Sequence, residues 1–127
     1  MTRKFRMLFG AAALAGALTM TSTPAFAVSG TASWYNDAGI GACGTPLNAN
    51  TDWLVAAPAG LWTSPNPNND PLCKKSIRVT YNGRTITVPI RDKCPSCPNN
   101  KIDLSRPAFA NLANPDVGII NITWDIV

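Results

Sequence analysis

Ser76–Arg91 reads SIRVTYNGRTITVPIR. Ile77, Val79 and Tyr81 alternate with Arg78 and Thr80, and Ile86, Val88 and Ile90 alternate with Thr85 and Thr87. A period of two with one apolar and one polar face is the pattern of a half-buried strand. Asn82-Gly83 between the two runs supplies residues that tolerate positive φ, which a two-residue hairpin turn requires. The stretch predicts a β-hairpin. Pro89 removes one ladder donor and marks an edge or a bend within it.

Downstream lies Arg91–Ser105, RDKCPSCPNNKIDLS, with two of the four cysteines and two aspartates. Asp92 stands at a strand end between Arg91 and Lys93 and is expected to accept backbone N–H bonds from the cysteine loop. Ile102 and Leu104 flank Asp103, so the carboxylate points away from two apolar side chains in a short strand. Ser105 is placed to cap a short helix, Arg106–Leu112, with Pro107 tolerated in its first turn. Asn114-Pro115-Asp116 and Gly118 break that helix. Ile120, Ile122, Trp124 and Ile126 then alternate with Asn121, Thr123 and Asp125, a last strand with one buried face. The triplet Asn121-Ile122-Thr123 matches a glycosylation site, but it is mid-strand and is read as chance.

Upstream, Ser29–Tyr35 alternates in the same way and predicts a strand. Asn36–Gly44, NDAGIGACG, is expected to be a glycine-rich loop whose backbone turns tightly or lies close to another segment. Asp52–Ala57 contains the apolar run WLVAA and is expected to be a buried strand. Thr63–Leu72, TSPNPNNDPL, reads as a turn-rich loop, with Leu61 and Trp62 at its base. About six strands, one short helix and short Pro/Gly turns favour a small closed barrel over a helical or parallel α/β fold.

The first residues form a different kind of segment. Arg3, Lys4 and Arg6 precede the apolar run Met7–Met20, and Ala25-Phe26-Ala27 is a small-x-small site. These are the parts of an export signal, with cleavage expected after Ala27. The domain plan is a leader at 1–27 and one domain at 28–127. The leader carries three of the eleven cations, so the formal +4 falls to near neutrality in the domain, which has eight Lys and Arg against seven Asp. No basic patch for nucleic acid is seen. A domain of roughly 100 residues benefits from covalent staples. Cys43, Cys73, Cys94 and Cys97 all lie in the exported part, and an even count there favours two disulfides, with three connectivities open. A zinc site would have a single CxxC and no histidine to draw on, so no metal or cofactor is expected. A redox role for Cys94-Pro95-Ser96-Cys97 would need a following helix, which Pro98-Asn99-Asn100 does not start.

Four pieces, in order, carry a family likeness: Ala32–Tyr35 (ASWY), the GACG around Cys43, YNGRTITVPIRDKC and Ile102–Ser105 (IDLS). They resemble the double-psi β-barrel proteins, a group that includes rare-lipoprotein-A-like domains, expansin N-terminal domains, barwin and family 45 endoglucanases. The fold this implies is mainly β: a small six-stranded double-psi β-barrel with one short helix and two disulfides. GACGTPLNA, TSPNPNNDPLC and NGRTITVPIRDKCPSC are similar to the papain-inhibitor branch of that group. With the likeness in place, Cys94–Cys97 would close a tiny loop, and Cys43–Cys73 would tie the glycine loop to the end of the Pro/Asn loop.

The resemblance also implies a groove into which Asp103 points, a position used as a general acid in related enzymes. Lytic relatives depend on a Glu and a His, and this chain contains neither: every acid is an aspartate. Asp37 is then the one partner for Asp103 that the endoglucanases suggest. The expected function is a secreted, extracellular, monomeric, non-catalytic inhibitor of papain-type cysteine proteases. One alternative is an expansin-like binder of cell-wall polysaccharide or peptidoglycan, with Tyr35, Asp37, Trp62 and Asp103 as binding residues. Another is a weak glycan-cleaving enzyme using Asp103. The implied partner is a secreted cysteine protease or a wall polysaccharide, with no nucleic acid and no membrane once the leader is removed.

Overall fold

The structure is a computed structural model that describes residues 27–127. The leader assigned to 1–27 therefore lies, but for its last residue, outside the described residues. The strands are β1 (Val28–Tyr35), β2 (Ala38–Ile40), β3 (Pro46–Asn48), β4 (Val55–Pro58), β5 (Ser76–Tyr81), β6 (Arg84–Cys94), β7 (Lys101–Ser105) and β8 (Ile120–Ile126). A five-residue helix, α1 (Arg106–Ala110), follows β7 directly.

The hairpin forms as its sequence requires. β5 and β6 pair antiparallel from Tyr81↔Arg84 to Ser76↔Pro89. Asn82 and Gly83 both take positive φ, 48° and 80°. Pro89 stands where β6 leaves β5. From Ile90 onward β6 pairs parallel with β4, with a register shift between Val55 and Ala56. A residue without an N–H fits such a handover because no ladder bond is lost in mid-strand.

Six strands close into a barrel in the order β1-β7-β4-β6-β5-β8. Two parallel pairs, β1 with β7 and β4 with β6, are joined by the antiparallel contact of β4 with β7. The inward residues of the alternating runs fill it: Ile77, Val79, Val88, Ile90, Ile102, Leu104, Ile122 and Trp124 are all buried. Phe109 of α1 closes the core and is fully buried, which favours folding by about 1.5–3 kcal/mol. Trp124 keeps its indole N–H satisfied by donating to the Asn100 carbonyl at 3.0 Å.

Several local expectations are corrected. The presumed loop Asn36–Gly44 contains β2, which pairs with β3 in a small separate sheet from Ala38↔Asn48 to Ile40↔Pro46. The strand expected over Asp52–Ala57 starts only at Val55, and Trp53 stands outside it, exposed, donating to the Thr87 carbonyl at 3.1 Å. The helix ends at Ala110 rather than Leu112. Ser105 does not cap it through its side chain. The Ser105 hydroxyl instead accepts the Leu54 N–H at 3.1 Å, while its own N–H donates to the Leu54 carbonyl at 2.9 Å. Ser105 is fully buried, and a buried N–H on a neighbouring segment has a stronger need for a partner than a helix end that water can reach.

The Pro/Asn loop is ordered as two 3-10 turns, Pro67–Asn69 and Pro71–Lys74. Asn66 caps the first by accepting the Asn68 N–H at 3.1 Å. Asp70 organises the rest. Its buried carboxylate accepts N–H bonds from Thr63 (2.7 Å), Ser64 (2.8 Å) and Leu72 (3.0 Å). Those bonds, led by the one from Leu72, hold its pKa below the usual carboxylate range.

Candidate functional site

Tyr35 ends β1, Asp92 lies near the end of β6 and Asp103 lies in β7, and the charges of Asp92, Asp103 and Asp37 all act on Tyr35. The parallel register of β1 and β7 sets Ser33 opposite Asp103, and the Ser33 hydroxyl donates to Asp103 Oδ1 at 3.1 Å. Asp103 is half-buried, and this desolvation raises its pKa despite the Ser33 bond and the charge of Lys101. Asp37 and Asp92 push in the same direction as burial, so the three carboxylates share one field.

Tyr35 ends β1. Its ring packs against two small apolar clusters, Leu47/Ala49/Leu54 on one side and Ala56/Cys94/Cys97 on the other. Its hydroxyl donates to Asp92 Oδ2 at 2.8 Å. Burial, the Asp92 bond and the three acidic neighbours all push the phenol pKa upward. Asp92 Oδ1 accepts the Ala42 N–H at 3.0 Å. The partners expected for Asp92 in the cysteine loop are thus replaced by Tyr35 and the glycine hairpin. The parallel β4–β6 pairing directs the end of β6 past that hairpin, leaving the Cys94–Cys97 loop to close on itself.

Trp62 does not share a hydrogen bond with these groups. Its indole donates to the Ala57 carbonyl at 3.3 Å, and the Lys93 ammonium stands 5.8 Å above its ring. Asp37 has an exposed side chain, and its carbonyl accepts the Ala49 N–H at 2.8 Å. Of the four binding residues expected from sequence, Tyr35, Asp37 and Asp103 come together electrostatically and Trp62 stands over the β4–β6 pair.

The second feature of this face is the β2–β3 hairpin. Leu47 of β3 anchors it in the small core with Ala49 and Leu54. Gly41 can be nothing larger, since a Cβ there would meet the Arg91 carbonyl at 2.6 Å and Leu47 Cδ2 at 2.3 Å. Arg91 Nη2 donates to the Pro46 carbonyl at 2.8 Å and Thr45 Oγ1 at 3.2 Å. Gly41 and Thr45 close the turn through an N–H···O bond of 3.0 Å. Cys43–Cys73 then ties the hairpin to the Pro/Asn loop, and Cys94–Cys97 closes the short loop after β6. All four cysteines are in these bridges.

Sequence reasoning missed two residues that shape this face, Asp70 and Arg91. For Asp70 a signal was present: Asn69-Asp70-Pro71-Leu72 is an N-cap acid before a proline at the first turn position. Arg91 acts on a segment forty-five residues away, and no local pattern points to it.

A family model described as lytic transglycolase, a double-psi β-barrel, matches residues 27–124. The chain belongs to that double-psi β-barrel family. Within it, the chain is 52% identical over 134 residues to the papain inhibitor of Streptomyces mobaraensis, covering 96% of this chain and 94% of that one. The solved structure of the Streptomyces papain inhibitor superposes with a TM-score of 0.79 at 55% identity, over 84% of this chain and 99% of that one. An expansin of Clavibacter michiganensis in complex with cellohexaose is more distant: TM-score 0.65 and 26% identity, over 80% of this chain and 50% of the expansin. The double-psi β-barrel read from the sequence, its six strands, short helix and two bridges are therefore present.

The raised pKa gives Asp103 a testable signature. A carboxyl whose folded-state pKa lies above its unfolded value contributes stability that is fully present below the unfolded pKa, about 3.9, and lost as pH rises through the folded pKa. Asp103→Asn keeps an oxygen that accepts the Ser33 hydroxyl without the buried charge. Its urea midpoint is expected to match or exceed wild type at pH 7, with the advantage disappearing near pH 3. A variant less stable than wild type at pH 7 would mean that the ionised carboxylate itself supports the fold.

Proposed function

We propose that this protein is a secreted, monomeric, non-catalytic inhibitor of papain-type cysteine proteases, exported by its first 27 residues and active as Val28–Val127. The observation that carries this reading is the 52% identity to a papain inhibitor across nearly the whole of both chains. The physics of the loop face supports it. An inhibitor must enter a cleft without a large ordering cost, and that cost falls when its loops are already fixed. Here the β2–β3 hairpin and the Pro/Asn loop are held by one disulfide, by the Asp70 and Asp92 carboxylates and by Arg91. Glycan cleavage finds less support. Asp103 has the raised pKa suited to a general acid, but the chain has no Glu and no His to act with it.

The test is a titration of papain with the refolded Val28–Val127 protein. Stoichiometric loss of protease activity at or below micromolar inhibitor is expected, and no inhibition at micromolar concentration would sink the reading.

The likeness to a cellohexaose-bound expansin is the one observation that favours a carbohydrate binder, with Tyr35, Asp37, Trp62 and Asp103 as its residues. The aromatic rings fit that role less well. Tyr35 is wedged between two apolar clusters with its hydroxyl engaged, and Lys93 stands over Trp62. Co-sedimentation with cellulose, chitin and peptidoglycan separates the two readings.

A further inference from the structure

The inhibitory reading leaves open which part of the surface meets the protease. We infer that strand β2, Ala38–Ile40, is the segment that enters the protease cleft, with the Ile40 side chain as its main apolar contact; this rests on the inhibitory reading above.

Three observations converge on it. Ile40 is 71% exposed, the highest value among the exposed large apolar side chains of the described residues. All three residues of β2 are exposed, while the partner strand β3 anchors the hairpin through buried Leu47. One strand is therefore fixed and the other presented. In the two-stranded sheet β2 pairs only with β3, so its outer edge is unpaired. An extended edge with an apolar side chain is what a peptide-binding cleft recognises: backbone bonds along the strand and a pocket for a side chain.

The hairpin is also unusually well fixed for an exposed element. Immediately after Ile40, Gly41 packs under the Arg91 carbonyl, Asp92 accepts the Ala42 N–H, and Cys43 is bridged to Cys73. Exposing an isoleucine costs the free protein its burial. An exposed isoleucine on a rigid, anchored strand recovers that burial when a partner covers it. Val117 and Ile119 are exposed as well, at 58% and 56%, but Val117 ends the turn Pro115–Val117, whose Pro115 carbonyl accepts the Trp34 indole N–H, and Ile119 precedes β8, so neither stands on a presented strand edge.

The experiment titrates papain with the wild type and with Ile40→Asp, Ile40→Ala and Val117→Asp. Each variant is first checked for an unchanged melting temperature and intact disulfides, which the exposure of both side chains makes the expected result. A charge in a desolvated apolar pocket should weaken inhibition by Ile40→Asp about 100-fold or more, and lost burial should weaken Ile40→Ala about 10-fold. Val117→Asp should stay within about 3-fold of wild type, as expected for a surface change outside the contact. Wild-type inhibition that Ile40→Asp leaves intact, or that Val117→Asp weakens as much, overturns the assignment of β2 alone. Failure of the wild type to inhibit papain overturns the inhibitory reading and the assignment together.

Discussion

Gly30→Ala is expected to destabilise the fold severely, although it adds a single methyl group to a strand. Gly30 sits in β1 opposite Ile122 of β8, where the chain after the Cys94–Cys97 loop crosses close by. A Cβ at this position would lie 1.7 Å from the Asn100 carbonyl oxygen and 2.8 Å from its carbon. Both are backbone atoms, so no side-chain rotation relieves the overlap. The same carbonyl accepts N–H bonds from Thr31 (3.3 Å) and from the Trp124 indole (3.0 Å). Moving it would break the start of the β1–β7 pairing and leave a buried indole donor unmatched. The expected loss is above about 4 kcal/mol, a large part of the 5–15 kcal/mol that small domains have in hand. Urea unfolding followed by far-UV circular dichroism measures it. Gly83→Ala is the internal comparison: it also replaces a glycine, but a Cβ there meets nothing within 4 Å. Its cost comes only from positive φ and should be about 1–2 kcal/mol. Equal losses in the two variants would refute the steric account.

The second large effect is expected from Cys43→Ser/Cys73→Ser. This bridge spans 30 residues, and closing a loop of that length stabilises a domain by about 3–4 kcal/mol in the chain-entropy model. Cys94–Cys97 spans three and should contribute less, about 2 kcal/mol. The two double variants should therefore differ in urea midpoint, with the long bridge the more costly to remove. Function should separate them further. Without Cys43–Cys73 the β2–β3 hairpin and the Pro/Asn loop lose their common tie, so papain inhibition should weaken even under conditions where the barrel remains folded. The Cys94–Cys97 variant should inhibit nearly as well as wild type. Inhibition unaffected by loss of the long bridge would mean that the hydrogen bonds of Arg91 and Asp92 suffice to hold the hairpin.

The barrel was legible because its strands alternate. Ile77–Tyr81, Ile86–Ile90, Ile102–Leu104 and Ile120–Ile126 each carry an apolar residue at every second position, and each lies in a strand with that face toward the core. β2 was not legible. Ala38-Gly39-Ile40 has no alternation, and its strand conformation comes from pairing with Pro46–Asn48 in a hairpin that Cys73, Arg91 and Asp92, all remote in sequence, hold in place. Ser105 shows the same limit at one residue. Its position before Arg106-Pro107 is a sound capping signal, yet Leu54, brought alongside by the barrel, takes the hydroxyl. Within the candidate site, the likeness carried by IDLS pointed to Asp103, but its place opposite Ser33 comes from the parallel register of β1 and β7. The role of Tyr35 as the joint between the barrel and the hairpin arises only in the folded chain, since a strand-ending tyrosine looks the same in sequence whether its ring is free or wedged.

The register of β1 has a kinetic consequence. Val28 pairs with Trp124 and Thr31 with Lys101, so the first strand of the domain is held entirely by strands from its far end. The local β5–β6 hairpin can form as soon as its own residues are available, whereas β1 must wait until β7 and β8 have been made. Such long-range pairing slows folding, because loop-closure entropy is lost before the contacts reward it. Until then β1 has no strand partner, and barrel closure follows the local hairpin.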